Sequence, residues 1–565
     1  MVVVIISWIY YFVLCMGIGM GIEKALEKAF AKKWQFRTID YLMTGIVGIT
    51  IYAAFFSIFY KLSMAAHVSL LCLWGICVYA TRGGWGRYLK KRRQSISFWE
   101  GFFYVCFILL IAFFTSRGTF HTDTNIYHAQ NIRIYEEYGL IKGMANLQLH
   151  YGYNSLYLAF TAILSLRWLL PWSLHTTTGF IEMILCLYAL HHLKSFKERK
   201  NHLEDAGCVG ILFYTLVNVT GSMSPATDYP TMFLTIYMIC AWLRAIHDKE
   251  DYMVYGLLAV FGVFLGVMKV SAITMVLVVV YPAYYLLKEK KWKEIFVFIS
   301  LGIIIILPFL IRNYLISGWL VYPFEALDLF QVPWKVPVED LRVDAAQIKV
   351  WGRCLYDIGL LELPLREWLP IWWESQERYA IMMFGGNVLG IVLALFNLAY
   401  KIIKKIRISG ELVVLYLAIV VSVIFWFFMA PFIRYGLAFL LCLPLIGMAS
   451  WYDYEKKGFQ SIATGCLVFG IFLCFSPYAD NYVTDAGVFI KQRIKEPYYV
   501  SAKDYDYGKT DSIEINGEVI YYNDYDKEEG ERNSYHYFPN TAYKGMLDKA
   551  TLAGENIKDG FVPRK

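Results

Sequence analysis

The chain has 565 residues, of which 58% are hydrophobic and only 18% charged, with a mean hydropathy of +0.45. A soluble chain would carry about 25% charged residues, so a water-soluble globular enzyme is excluded. The net charge of +7 is spread over short basic clusters between apolar runs; it reports orientation in a membrane and does not indicate a nucleic-acid partner.

Apolar runs of about 16–22 residues recur along most of the chain, each long enough to cross a ~30 Å hydrocarbon core as a helix. A helix satisfies its own backbone groups in lipid, which an open strand cannot do. The opening MVVVIISWIYYFVLCMGIGM has no basic start and no small-residue cleavage site, and reads as a retained first span. Spans are expected at 2–22, 39–60, 65–80, 98–116, one or two within 154–193, 206–222, 231–246, 253–268, 270–287, 295–311, 380–400, 412–430, 433–450 and 460–476. The basic clusters at 24–37, 82–93, 194–200, 288–293, 401–407 and 456–457 mark the cytoplasmic side. Segments 117–153, 223–230, 313–379 and 477–565 then face outward. Two full crossings in 154–193 would put the 194–200 cluster outside, so 154–170 is expected to be short or re-entrant. The eleven cysteines form no CxxC pair and most lie in apolar runs, which indicates neither a zinc site nor a disulfide scaffold.

The fold class is therefore an all-α polytopic membrane protein of about 12–14 transmembrane helices. A membrane domain over 1–476 is followed by a small α+β extracytoplasmic appendage over 477–565. Within that appendage Asn516-Gly517 stands between two alternating stretches in SIEINGEVIYY and predicts a hairpin.

The first outer loop reads RGTFHTDTNIYHAQNIRIYEEYGLIKGMANLQLHYGYNS. Asp123 follows the 98–116 span by a few residues, at the depth of a lipid-linked head group. Ile126, Ile132, Ile134 and Tyr135 can form the apolar side of an interfacial helix, with Arg133, Glu136 and Glu137 facing elsewhere. Asp123 has two readings, a general base for an acceptor hydroxyl and an N-cap shared with Thr122 or Thr124. His121, Asp123 and His128 could bind a divalent metal, although their spacing matches no strong ligand signature and ordinary interfacial histidines are commoner.

Asp228 in GSMSPATDYP should emerge on the same side, as a functional carboxylate or as a cap in a turn made by Pro225 and Pro230. Lys269 interrupts the apolar stretch GLLAVFGVFLGVMKVSAITMVLVVV, where an ammonium is costly unless it meets an anion or a wet cavity; snorkelling is the bland alternative. Arg434 in APFIRYGLAF sits in a short outer turn, and its fork suits phosphate oxygens. Arg312 in PFLIRNYLISGW is a weaker candidate at the end of another span. The aromatic 313–379 loop reads as a lid lying on the bilayer.

This order of an acidic loop, an interfacial helix, a second outer Asp, a Lys and a late Arg resembles the GT-C superfamily of membrane glycosyltransferases. More closely, HTDTNIYHAQNIRIYEEYGLIKGMANLQLHYGYNS, SPATDYPTMF, RNYLISGWLVYPFEALDLFQVPWKVP and NIKDGF resemble an uncharacterised group of bacterial GT-C-like polytopic membrane proteins. The resemblance implies an inverting transfer, on the extracytoplasmic face of the cell membrane, from a polyprenyl-phosphate-linked sugar to a glycan or glycolipid acceptor. Asp123 would match the catalytic acidic residue, and Lys269 and Arg434 the cations that hold the donor phosphate. His121, His128, Arg133, Asp228 and Arg312 join Lys269 and Arg434 as substrate-binding candidates. The single Asp in HTDTN departs from the paired carboxylates of DxD-type members, so no metal ligands are assigned and a divalent cofactor stays open. Two alternatives are a polysaccharide polymerase or ligase acting on lipid-linked oligosaccharides, and a lipid-linked sugar transporter or flippase. Transporters show paired halves, and no repeat is found here.

Overall fold

Long apolar runs with few interior prolines become long helices, because each residue added to a helix gains a backbone hydrogen bond that lipid cannot supply. The computed structural model describes residues 1–92, 97–116, 121–193, 201–451, 510–523 and 535–564, together with Lys495 and Asn533. The helices in chain order are α1 (Val2–Phe30), α2 (Thr38–Phe59), α3 (Met64–Arg92), α4 (Phe98–Thr115), α5 (Ala129–Glu137), α6 (Leu156–Leu164), α7 (Thr177–Leu193), α8 (His202–Asn218), α9 (Asp228–His247) and α10 (Tyr252–Met268). After a 3₁₀ segment (Val270–Val279) come α11 (Val280–Lys288), α12 (Trp292–Ser317), α13 (Val338–Gly352), α14 (Leu365–Glu374), α15 (Arg378–Ile403), α16 (Gly410–Met429), α17 (Ile433–Ala449) and α18 (Lys544–Lys549).

Among the described residues nine helices are long and apolar enough to cross a membrane, fewer than the about 12–14 expected from run length. Length accounts for much of the difference. Helices α10 and α17 are apolar but have 17 residues each, which reach about 25 Å at 1.5 Å per residue. Helix α6 has only nine, all buried, so 154–170 is indeed short. The expected 206–222 span ends at Asn218, where the chain tightens into a 3₁₀ turn over Val219–Met223. The expected 460–476 span and the basic clusters at 194–200 and 456–457 lie outside the described residues, as do 117–120.

Helix α9 is the hub. Its apolar window is 89% buried, against 22% for α12, which puts α9 at the centre and α12 on the rim. It packs against α7, α8, α10, α16 and α17. Where α1 and α2 cross, a Cβ on Gly19 would fall on the Tyr41 carbonyl and one on Gly45 on the Cys15 carbonyl. Small residues allow that close backbone approach.

The C-terminal segment carries the predicted hairpin. Strands β1 (Thr510–Ile515) and β2 (Glu518–Asn523) pair antiparallel, with Asn516 and Gly517 both at positive φ, as a tight hairpin turn requires. Strand β3 (Asn540–Thr541) runs parallel to β2, and β4 (Ala550–Leu552) pairs with β5 (Phe561–Pro563). This segment clasps the first loop. Phe561 N donates to Lys142 O at 2.9 Å, and the Tyr151 hydroxyl donates to Asn540 O at 2.5 Å.

Candidate active site

Four segments meet at one end of the bundle: the loop entering α5, the turn before α9, the break after α10, and the start of α17. Each is shaped by a local interruption. Helix α10 stops at Lys269, whose backbone is extended, and the β-branched run that follows winds as a 3₁₀ segment. Pro431 and the extended Phe432 set the start of α17, so Arg434 lies in its first turn. Ahead of α5 the chain forms a π turn over Thr124–His128, in which Ala129 N bonds back to Thr124 O. Such turns carry one extra residue per turn and recur at functional sites. The Thr124 and Ser224 hydroxyls are in contact, and Thr178 Oγ1 donates to Ser224 O at 2.7 Å. These bonds fasten the π turn to the turn that carries Asp228.

The result is a compact set of charges. Arg434 Nη2 donates to Asp123 Oδ2 at 2.8 Å, and its Nε lies 3.3 Å from Asp228 Oδ2. The Lys269 ammonium pairs with Asp228 Oδ1 and stands 4.1 Å from the centre of the Tyr435 ring. Two carboxylates and two cations therefore balance, as buried charges must. Asp228 is the most enclosed of the four side chains, at 2% exposure, whereas Asp123, Lys269 and Arg434 keep 19–25% and can be reached. The capping readings fail. Neither Asp123 nor the residue before Asp228 makes a side-chain cap, and both carboxylates are taken by the cations.

His121 completes the set. Arg434 Nη1 reaches His121 Nε2 at 2.8 Å. A guanidinium can only donate, so Nε2 accepts; Nδ1 faces the Asp123 backbone N–H at 3.2 Å and lies 3.8 Å from Asp123 Oδ2. Burial lowers the His121 pKa to about 4, which keeps the ring neutral. Burial also pushes the Asp123 carboxyl upward, but Arg434, then His121 and His128, outweigh it and hold the group well below the usual carboxylate range. His128 is 1% exposed, with no hydrogen-bond partner on either ring nitrogen among the described residues, and burial lowers its pKa to about 3. Its ring centre lies 6.2 Å from that of His121.

The structure thus brings together Asp123, His121, Asp228, Lys269 and Arg434, with His128 alongside. For a metal, the group that converges is His121, Asp123 and Asp228, whose ligand atoms all lie within 4.8 Å of one another. Asp228, and not His128, joins the other two. Imidazole and carboxylate donors suit a divalent cation, but Arg434 and Lys269 already bind both carboxylates and would compete with it.

Two expected residues lie elsewhere. Arg312 is fully buried, held by Asn154 Oδ1 at 3.0 Å and the Ser57 hydroxyl, with its guanidinium 4.5 Å over the Tyr135 ring. The span end was expected to present it outward; instead α2 and the Asn154 turn close over it. Arg133 donates to the Tyr535 and His536 carbonyls at 2.5 and 3.2 Å and covers Phe538, so it grips the C-terminal segment.

Sequence reasoning missed three features. Tyr435 is the aromatic floor for Lys269, signalled only by its place beside Arg434. Asp344 on α13 is fully buried, accepts a bond from the Tyr153 hydroxyl at 2.8 Å and lies 3.9 Å from His150 Nε2. The His150 ring stacks on Tyr127 of the π turn, so this part of the 313–379 loop is seated against the site. The third is an apolar groove of about 610 Å³ lined by Trp372, Trp373, Phe384, Trp426, Phe427 and Leu440. Trp372 Nε1 donates to Pro431 O at 2.9 Å, which sets the groove wall three residues from Arg434.

No curated protein and no solved structure matches the chain. A family model described as Domain of unknown function (DUF8201) matches residues 1–441, a stretch that holds every member of the charge cluster, and the chain belongs to that family.

Proposed function

We propose that this protein is a multi-pass membrane glycosyltransferase that moves a sugar from a polyprenyl-phosphate-linked donor to a glycan or glycolipid acceptor on the extracytoplasmic face. The observation that carries the reading is the juxtaposition of the Asp123–Asp228–Lys269–Arg434 cluster with the apolar groove behind Pro431. A phosphate with a long hydrocarbon tail has this same pairing of anion and grease. Basic clusters on the opposite loops support the orientation.

In the reaction the acceptor oxygen forms a bond to the anomeric carbon while the bond from that carbon to the phosphate oxygen breaks. The electron pair leaves on the phosphate, where Arg434 and Lys269 stabilise the growing charge. The acceptor proton passes to Asp123. Attack opposite the leaving group in a single displacement inverts the anomeric centre.

Arg434 has a double task in this scheme. While it is bonded to Asp123 it keeps that carboxylate a weak base. Donor phosphate drawing the guanidinium towards itself would free Asp123 and raise its basicity, so donor binding primes the base. His121 and Asp228 are the residues that would hold a divalent cation beside Asp123; such a cation would supply further charge neutralisation at the phosphate.

The test is transfer from a panel of polyprenyl-phosphate sugars by the purified protein in lipid, comparing wild type with Asp123→Asn. The reading expects product from wild type and almost none from the variant. Full activity in Asp123→Asn would remove the base from the mechanism. Donor binding and movement across vesicles without any transfer would favour the flippase alternative instead.

A further inference from the structure

A π turn leaves backbone carbonyls without the donor that an α-helix would supply four residues on, and a buried carbonyl needs another. In the Thr124–His128 turn those donors come from outside the helix. Asn533 N donates to Asn125 O at 2.7 Å, and its side-chain Nδ2 donates to Ile126 O at 2.7 Å. Gln148 Nε2 donates to the same Ile126 carbonyl at 2.9 Å. Gln148 Oε1 in turn accepts from Ala542 N at 2.8 Å and lies 3.3 Å from Asn533 Nδ2. Both amides are sealed from solvent, at 1% and 0% exposure.

The turn they brace holds reactive groups at both ends. Asp123 immediately precedes it and His128 closes it. The turn that closes over five residues instead of four holds the His128 ring with its centre 6.2 Å from that of His121. Nothing in the local sequence HTDTNIYHA demands a π turn. Without the two amides the segment would relax to an ordinary α turn, which rotates His128 and Asp123 relative to Arg434.

We infer that Asn533, braced by Gln148, is a positioning residue for the Asp123 site, so that the C-terminal segment beyond the family match at residue 441 completes the site instead of merely decorating it. Its catalytic consequence rests on the transferase reading above; its structural core does not. Asn533 touches no reacting atom. It acts through the backbone of the turn.

The experiment uses the full chain in lipid nanodiscs with Asn533→Leu, which removes the side-chain donor at similar volume. The control is Asn540→Leu in the same segment; Asn540 is equally buried, and its side chain bonds to Asn523 and not to the π turn. Amide hydrogen exchange over 122–130 should quicken by about tenfold in Asn533→Leu, as expected for one buried hydrogen bond, and stay at the wild-type rate in Asn540→Leu. In transfer assays kcat should fall with the donor KM unchanged, because Arg434 and Lys269 are untouched. Gln148→Leu should add little to Asn533→Leu, since both act on one turn. Wild-type exchange over 122–130 in Asn533→Leu, or an equal rise in both variants, would overturn the proposal. A wild type that transfers no sugar would sink the transferase reading alone, with the exchange data still deciding the role of Asn533.

Discussion

Arg434 and Arg312 are both arginines near helix ends, and their surroundings differ in each respect that matters for chemistry. Arg434 faces two carboxylates and a histidine and remains 25% exposed, beside a groove. Arg312 is sealed, with no acid paired to it among the described residues, and spends its donors on Asn154 and Ser57. A reachable guanidinium shared between carboxylates can exchange one anion for another. A sealed one bonded to neutral oxygens ties helices together, because leaving those partners buried and unmet costs free energy.

Breaking the cluster at its base is expected to have the largest effect. Asp123→Asn should lower kcat by about 10²–10⁴-fold, the range for loss of a general base, with the folded chain retained by size-exclusion and circular dichroism. Next comes Arg434→Lys, which keeps the charge and loses the fork. The donor KM should rise by about tenfold, while the thermal midpoint moves little. The contrasting substitution, Arg312→Met, should do the reverse. It should destabilise the chain by about 1–3 kcal/mol through the orphaned Asn154 and Ser57, read as a lower unfolding midpoint, with the donor KM unchanged. A raised KM in Arg312→Met would erase the distinction between the two arginines.

A pH experiment sharpens the comparison from the loop side. Glu136 on α5 is buried; burial raises its pKa to about 7, partly opposed by hydrogen bonds such as that from the Ser173 hydroxyl at 2.7 Å. The folded value exceeds the ordinary 4.5, so this group's stabilisation is complete below about pH 4.5 and is lost as pH rises through about 7. Glu136→Gln should remove that part of the pH dependence from the unfolding midpoint. Asp123 has the opposite sign. Its folded pKa is depressed, so its pairing stabilises above the ordinary carboxylate range and is lost only in strong acid. The smallest effect is expected from chelation. Because Arg434 and Lys269 already neutralise both carboxylates, EDTA should leave transfer within about twofold of control; a loss restored by manganese or magnesium would assign a cation to His121, Asp123 and Asp228.

Much of the site was legible because its members break local rules. Lys269 inside an apolar run, Arg434 beside a proline in a short turn, and Asp228 between two prolines all stand out against their neighbours. The Asn516-Gly517 hairpin was legible for the same reason, since that dipeptide suits positive φ at both positions. Arg312 stands at a span end and is a weaker candidate than Lys269, and its sequence does not say that it is sealed between helices. Whether a cation at a helix end meets solvent or a neighbouring helix depends on which helices pack there. The Asp344–Tyr153–His150 contacts and the Asn533 brace were invisible, because they join residues 191 and more than 380 positions apart.

By itself the sequence determined the helical class, the position of most apolar helices, the hairpin, and the charged residues out of place in apolar surroundings. Each follows from local physics: run length against hydrocarbon thickness, backbone preference at a turn, and the cost of an unpaired charge. Only the tertiary structure decided that Asp123 pairs with Arg434 instead of capping a helix. It also decided that Asp228 displaces His128 from the metal-like group, that Arg312 is bonded to Asn154 and Ser57, and that Arg133 is bonded to the C-terminal segment. Those outcomes rest on which distant segments meet, and a carboxylate takes whichever donor the packing brings within reach.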